Sequence, residues 1–289
     1  MAPGQTRRMR IALIANPASG GGLDVEALVE ALRRHGAEVR ALEPRDLDAA
    51  AAWEPERVAV AGGDGTVAPC AELAGRLGVP LAVIPSGTAN DFARASGIPP
   101  QREQACELAA TGGELSPHEL GRLADGHPFV NVASAGLASA AARRAKPLKP
   151  RLGPLAYAVG AVRAAASEQP LECTVRADGD EVYRGDAWQV IVAVTGAFGG
   201  GAELGAAEPD DGVLDVAVLP AGSRVGLARR AWGMRRGTIA EQREVCHARG
   251  AVIEVELPAG EQLNVDGEVR EAGLERVTVE PHAFSLVVG

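Results

Sequence analysis

Lysine is almost missing from this chain. Only Lys146 and Lys149 occur, and arginine supplies nearly all of the 29 basic residues. A Walker-type phosphate loop needs Gly-Lys-Ser/Thr, and neither lysine follows a glycine, so that chemistry is excluded. The 5 histidines form no His-Glu-x-x-His zinc motif, and no Gly-x-Ser-x-Gly nucleophile elbow exists. The 4 cysteines, Cys70, Cys106, Cys173 and Cys246, lie far apart without a Cys-x-x-Cys pair. Their spacing excludes a zinc ribbon and predicts small, reduced, buried thiols of a cytoplasmic protein. No apolar run approaches the roughly 18 residues of a membrane span. Arg7, Arg8 and Arg10 imitate the start of a signal peptide, but the apolar run Ile11–Ala15 stops at Asn16-Pro17. It reads as a buried strand instead.

What the chain has is length, acid and glycine. Its 289 residues suit one large domain or two ordinary ones. The net charge of -9 argues against nucleic acid as a partner. The 36 glycines cluster rather than repeat, which marks tight loops and not a fibrous or disordered chain.

Residues 10 to about 95 alternate strand and helix signals. Strands are expected at Ile11–Ala15, Ala37–Leu42, Arg57–Ala61 and Pro80–Ile84, with helices at Leu23–His35 and Val67–Leu77. Repeated strand–loop–helix units predict a Rossmann-like parallel sheet, whose ligands bind beyond the carboxyl ends of its strands. After about residue 125 the segments become β-branched. Phe129–Ala133, Leu171–Ala177, Glu181–Val194, Val213–Leu219, Ala251–Leu257 and Glu261–Val269 read as strands. Asp178-Gly179, Asp211-Gly212 and Asp266-Gly267 read as their turns. Helical stretches are expected near Leu137–Ala145, Leu155–Ser167 and Val225–Arg236. The expected fold class is an α/β nucleotide-binding domain at 8–124 followed by a β-sandwich domain at 125–274. The segment 275–289 could return to the first domain.

Three loops follow the predicted parallel strands. Asn16-Pro17-Ala18-Ser19-Gly20-Gly21-Gly22 offers glycine backbone N–H groups and the polar side chains of Asn16 and Ser19 to phosphate oxygens. Gly62-Gly63-Asp64-Gly65-Thr66 is a backbone cradle carrying one carboxylate, with Thr66 placed to cap the next helix. Pro85 to Arg94 contains Gly87, Thr88, Asn90 and Asp91, with Asn90 or Asp91 expected to cap a short helix. An acidic side chain such as Asp64 beside phosphate needs a cation or a proton-transfer role.

In this order, Asn-Pro-x-Ser-Gly, Gly-Gly-Asp-Gly-Thr and Pro-x-Gly-Thr-Ala-Asn-Asp-Phe-Ala-Arg resemble the diacylglycerol kinase catalytic-domain family, which includes bacterial soluble lipid kinases and the sphingosine and ceramide kinases. Further likeness runs through Phe129–Gly136, Leu152–Tyr157, Gly199-Gly200-Gly201, Pro209–Val216 and Asn264–Glu268, nearly the whole chain. The resemblance implies an ATP-dependent lipid kinase that binds ATP between an α/β domain and a β-sandwich. It implies ATP contacts from Asn16, Ser19, Gly20, Gly62, Gly63, Asp64, Gly65, Thr66, Val67, Ala68, Gly87, Thr88 and Asn90. It implies Glu268 as general base, with Asp64 also in the catalytic set. It implies a structural Mg²⁺ on Asp211 and the carbonyls of Glu208 and Val213, with Asp215 reaching the ion through water. A second Mg²⁺ is expected with ATP. Several positions depart from the family pattern: Ala68-Pro69 stand where Asn-Glu is frequent, Ala138 where an aspartate is, Leu42 where a threonine is and Gly205 where a hairpin proline is, and the family lysines near Leu152 are shifted or replaced by arginine.

The expected acceptor is diacylglycerol or a related lipid alcohol. Alternatives are a NAD kinase-like enzyme, which shares Gly-Gly-Asp-Gly-Thr, and an inactive nucleotide- or lipid-binding protein. A cytoplasmic body with transient peripheral contact at the inner membrane surface is expected. Its basic runs would be Arg143, Arg144, Lys146, Lys149 and Arg151, and Arg229, Arg230, Arg235 and Arg236 around Trp232. Edge pairing into a homodimer is compatible with the hairpins.

Overall fold

A computed structural model describes residues 8–145, 147, 164, 167–198, 202–204, 210–223, 244–271 and 274–289. The chain forms two compact units, Met1–His118 with Ala283–Gly289, and Glu119–His282. They are taken in turn.

The first unit opens with β1 (Arg10–Ala15), α1 (Val25–Arg34), β2 (Glu38–Leu42), α2 (Leu47–Ala52), β3 (Arg57–Gly62), α3 (Asp64–Leu77), β4 (Leu81–Pro85), α4 (Asp91–Ala95) and α5 (Arg102–Thr111). All five residues of β4 and all six of β3 are buried, as strands covered on both faces must be. The pairs β1–β2, β1–β3 and β3–β4 are parallel, which puts β1 between β2 and β3. The chain therefore leaves β1 toward one side and β3 toward the other. Such a reversal opens a crevice at the strands' carboxyl ends, where doubly wound sheets bind ligands.

Each helix follows from its local sequence. Asp24 caps α1 by accepting from the Ala27 N–H at 3.0 Å. Leu28, Ala31 and Leu32 then fall on one buried face. Together with Ala105, Cys106, Ala109 and Ala110 of α5 they cover Ile11, Leu13, Ala59, Ala61, Ala82 and Ile84. The sequence predicts no helix at α2 or α5. Their buried positions are alanine and cysteine, too small to give a strong amphipathic pattern.

The second unit is antiparallel, as expected. Its elements begin with β5 (Glu114–Arg122), which enters from the first unit, then β6 (Pro128–Phe129), β7 (Val132–Gly136) and α6 (Leu137–Ala145). They continue as β8 (Leu171–Ala177), β9 (Asp180–Ala193), β10 (Ala197–Phe198), β11 (Ala202–Glu203), β12 (Leu214–Pro220), β13 (Cys246–Gly250) and β14 (Val252–Glu256). The last are β15 (Leu263–Val265), β16 (Glu268–Arg270) and β17 (Val277–Val288), which runs back into the first unit. The expected single strand Glu261–Val269 is in fact the hairpin β15–β16, broken by its own Asp-Gly turn. The 14 residues of β9 serve two purposes. Its start pairs with β8, and its end lies between β7 and β12. Alternate residues of β7, β8, β9, β12, β14 and β15 fill one sandwich-like core. The helix expected near 225–236 and most of that near 155–167 lie outside the described residues.

The four thiols are free, and three are buried. Burial pushes Cys70 up to about 12 and Cys106 and Cys173 to about 11, so they stay protonated and act as small apolar side chains. The end of β17 completes the first sheet. Leu286 pairs in parallel with Leu81, and Phe284, Leu286 and Val287 are buried. Deleting Ala283–Gly289 should destabilise the first unit by about 5 kcal/mol, the burial of three large apolar side chains. Urea unfolding followed by circular dichroism checks this; an unchanged midpoint would refute it.

Candidate functional site

The three predicted loops all leave the carboxyl ends of the parallel strands β1, β3 and β4. Backbone hydrogen bonds tie them together there: Asn16 N–H donates to Ala61 O at 3.0 Å, and Ser86 N–H donates to Gly62 O at 3.1 Å. The loops then pack backbone on backbone. Gly20 has φ +59°, and a β-carbon on it would lie 2.5 Å from the Ser86 carbonyl oxygen. A β-carbon on Gly87 would lie 2.5 Å from the Gly63 Cα. Only hydrogen fits at both positions, so the glycines bring three loops into one cluster.

The second loop is shorter than expected. Gly63 is already the extended N-cap of α3, so Asp64, Gly65 and Thr66 form its first turn. Thr66 is therefore inside the helix and not its cap. Its side chain folds over Gly62 instead. Val67 and Ala68 are buried in the helix packing, which takes their side chains out of a ligand's reach. The short helix α4 also departs from expectation. Asn90 occupies its N-cap position at φ 50° but makes no side-chain cap bond. Its amide closes the third loop on itself, accepting from Gly87 N–H at 2.7 Å and donating to Gly87 O at 3.1 Å. The carboxylate that caps α4 belongs to the second motif: Asp64 Oδ1 accepts from Phe92 N–H at 2.8 Å. Burial pushes the Asp64 carboxyl above the usual carboxylate range; the Phe92 N–H opposes the rise and Asp91 adds to it. Asp91 itself is buried and pairs with Arg94 at 2.6 Å. Asn16 accepts from Ala18 N–H at 3.1 Å, Ser19 is partly exposed, and Thr88 is exposed.

In the second unit Glu268 is exposed at the first position of β16. The tight turn before it has Asp266 at φ 45° and Gly267 at φ 87°, the two-residue hairpin type that Asp-Gly favours. Asp266 does more than turn the chain. Its buried carboxylate accepts from the N–H groups of Val130, Asn131 and Val132 at 2.8, 2.9 and 3.0 Å. The sequence marks Asp266 as a turn residue; its anchoring role depends on a contact 136 positions away. The N–H of Ala138, where the family pattern changes, is held by Gln189 Oε1 at 2.7 Å.

The metal residues of the expectation are partly in view. Asp211 Oδ1 accepts from Val213 N–H at 3.1 Å, and Asp211 Oδ2 pairs with Arg249. Asp215 is buried, 2.5 Å from His247 Nε2 and 3.4 Å from Arg249 Nε. Glu208 lies outside the described residues, as do Gly199-Gly200-Gly201 and Leu152–Tyr157. Glu119, which the sequence does not single out, is buried and accepts from Gly212 N–H at 2.5 Å. Burial raises its pKa, against the pull of that N–H. One oxygen each of Glu119 and Asp215 is buried without a hydrogen-bond partner. Among the described residues no three His, Cys, Asp or Glu side chains converge as a metal cage.

Comparisons with known proteins agree with this anatomy. The diacylglycerol kinase catalytic domain model matches residues 10–123, and the YegS C-terminal NAD kinase beta sandwich-like domain model matches residues 131–288. The protein named Probable lipid kinase YegS-like of Pseudomonas aeruginosa PAO1 is 32% identical, covering 96% of this chain and 93% of its own. A diacylglycerol kinase of Mycobacterium tuberculosis is 29% identical, covering 93% and 92%. A crystal structure of a diacylglycerol kinase from Bacillus anthracis str. Sterne shares the fold, with a TM-score of 0.78 at 22% identity and 99% of both chains covered. With the diacylglycerol kinase catalytic domain at its start and relatives of this kind over most of its length, the chain falls in the lipid kinase class of enzyme. The chain belongs to the diacylglycerol kinase catalytic-domain family.

The Asp266 anchor has a measurable consequence. Asp266→Ala should cost about 3 kcal/mol or more, because three buried N–H groups lose a charged acceptor. Asp266→Asn should cost less, since one acceptor oxygen survives and asparagine tolerates positive φ. Denaturant midpoints of the two variants should differ in that order; equal and small losses would contradict it.

Proposed function

We propose that this protein transfers the γ-phosphate of ATP to a hydroxyl of diacylglycerol or a related lipid alcohol. The convergence of Gly20, Gly63 and Gly87 at the strand ends of the first unit carries the proposal. Backbone N–H groups and the start of α3 there suit a phosphate chain. The polar groups of Asn16, Ser19, Thr88 and Asn90, with the backbone of Gly62 through Ala68, complete the proposed nucleotide contacts. Phosphoryl transfer asks mainly for positioning and charge stabilisation, which rigid loops provide. Asp64 enters this reading as the acceptor that fixes α4, and so the third loop, in place.

Glu268 is the proposed general base. It would take the proton of the acceptor hydroxyl as that oxygen attacks the γ-phosphorus, with ADP leaving. Asp266 would hold the turn that presents it. The third motif and Asp-Gly-Glu favour this reading over a NAD kinase, and the intact Glu268 favours it over an inactive binding protein.

The acidic turn suits Mg²⁺ in its chemistry. Its groups are hard oxygen donors, and Glu119 Oε2 is buried without a hydrogen-bond partner, while Asp211 and Asp215 share the single cation of Arg249. Asp211 with the carbonyls of Val213 and Glu208 would hold it, and Asp215 would reach it through water. The ion would neutralise these carboxylates and stiffen the turn. A second Mg²⁺ accompanying ATP would offset the charge of the phosphates.

Purified protein with Mg-ATP and a panel of lipid alcohols and NAD tests the reading. Glu268→Gln should lower lipid turnover by about 100-fold or more while leaving ATP affinity unchanged. Equal turnover in the variant would remove Glu268 from this role. Turnover on NAD alone would reverse the choice of acceptor.

No helix among the described residues is long and apolar enough to cross a membrane. We propose a cytoplasmic protein that docks reversibly on anionic lipid. Arg143 and Arg144 both pair with Glu168, which weakens their share of a docking surface. The proposal therefore rests on Lys146, Lys149 and Arg151 and on the run Arg229–Arg236 with Trp232, all outside the described residues. Cosedimentation with anionic vesicles should fall as salt rises; equal binding to neutral vesicles would oppose an electrostatic dock.

A further inference from the structure

The glycine cluster lacks a full positive charge from its own motifs. Their acidic and basic side chains are Asp64, Asp91 and Arg94, and Arg94 is already paired with Asp91. Backbone N–H groups and helix starts supply only partial charge. No lysine lies within residues 1–118. A nucleoside triphosphate held there would present several negative charges to a weakly positive cradle.

One side chain from outside the three motifs fills this gap. Arg102 is the first residue of α5. Its Nη2 lies 3.8 Å from where a β-carbon on Gly20 would stand, at the point where Gly20 meets the Ser86 carbonyl. The guanidinium thus borders the contact between the first and third loops. It is exposed, and no ion pair or hydrogen bond engages it among the described residues. Arg34 is paired with Glu103 of α5 at 2.8 Å and Arg94 of the third loop with Asp91, while Arg57 bonds the Ala109 carbonyl near the far end of α5 at 2.5 Å. A free guanidinium, with its planar fork of donors, is suited to bidentate recognition of phosphate oxygens.

We propose that Arg102 is a nucleotide-binding residue that contacts the phosphate chain of ATP on the glycine cluster. The inference rests on the kinase reading above and adds to it the cation that the sequence motifs do not provide. Arg102 holds the phosphates by charge and geometry; the adenosine moiety gains nothing from it. Because the side chain makes no bond within the protein, its removal leaves folding stability unchanged.

Calorimetric titration of the full-length protein with Mg-ATP, inorganic tripolyphosphate and adenosine tests this. Arg102→Ala should weaken Mg-ATP and tripolyphosphate by about tenfold or more, the worth of one charge-assisted contact. Adenosine affinity and the melting temperature should stay as in the unsubstituted protein. Arg102→Lys should recover part of the loss. Mg-ATP affinity within twofold of the unsubstituted protein would overturn the assignment while leaving the kinase reading standing. An equal loss for adenosine would also overturn it, by showing a structural role. If the unsubstituted protein binds neither ATP nor tripolyphosphate, this assignment and the kinase reading fall together.

Discussion

The first unit depends on a close approach of backbones that no side chain could share. Gly63 against Gly87, and Gly20 against Ser86, draw together loops whose strands end side by side in the sheet. Asp64 then fixes the arrangement by crossing from one motif to the backbone of the next. Motifs far apart in sequence are thus one object in space. Burial disfavours the carboxylate, and the N–H it accepts from Phe92 offsets that cost and holds it beside α4.

The second unit uses the same device at Asp266. One carboxylate gathers three N–H groups of the segment ahead of β7. Because β15 also pairs with β7, the hairpin bearing Glu268 is tied to that strand twice. A charged group so held is well placed to keep its position on a short hairpin, which would otherwise be marginal in water.

Much of this was legible in the sequence. Parallel β1, β3 and β4 announce themselves as apolar runs leading into glycine-bearing loops, and both units have the predicted class. Leu171–Ala177 was readable to the residue because alternation and its Asp-Gly turn agree. The failures are equally physical. Helix α5 buries alanine and cysteine, so its period is faint. Strand β17 carries Glu280-Pro281-His282 in its middle, which hides it from the strand pattern in the sequence. Within the site, the glycine strings revealed where a ligand could approach but not who caps whom. Asn90 has capping chemistry, yet Asp64 caps α4, because a local preference yields to a better-placed distant acceptor, and Thr66 falls inside α3, whose N-cap is Gly63. Arg102 sits in no motif at all; only the folded chain brings it beside Gly20.

The return of β17 carries a consequence for biosynthesis. The first unit's sheet takes one parallel strand from Ala283–Gly289, while β1 to β4 lie within the first 85 residues. A ribosome adding roughly 5–20 residues per second would separate the two events by about 10–40 s. During that interval β4 presents an uncovered edge and a missing apolar lining. The amino-terminal unit, although begun first, gains this strand only after the residues of the second unit have been made.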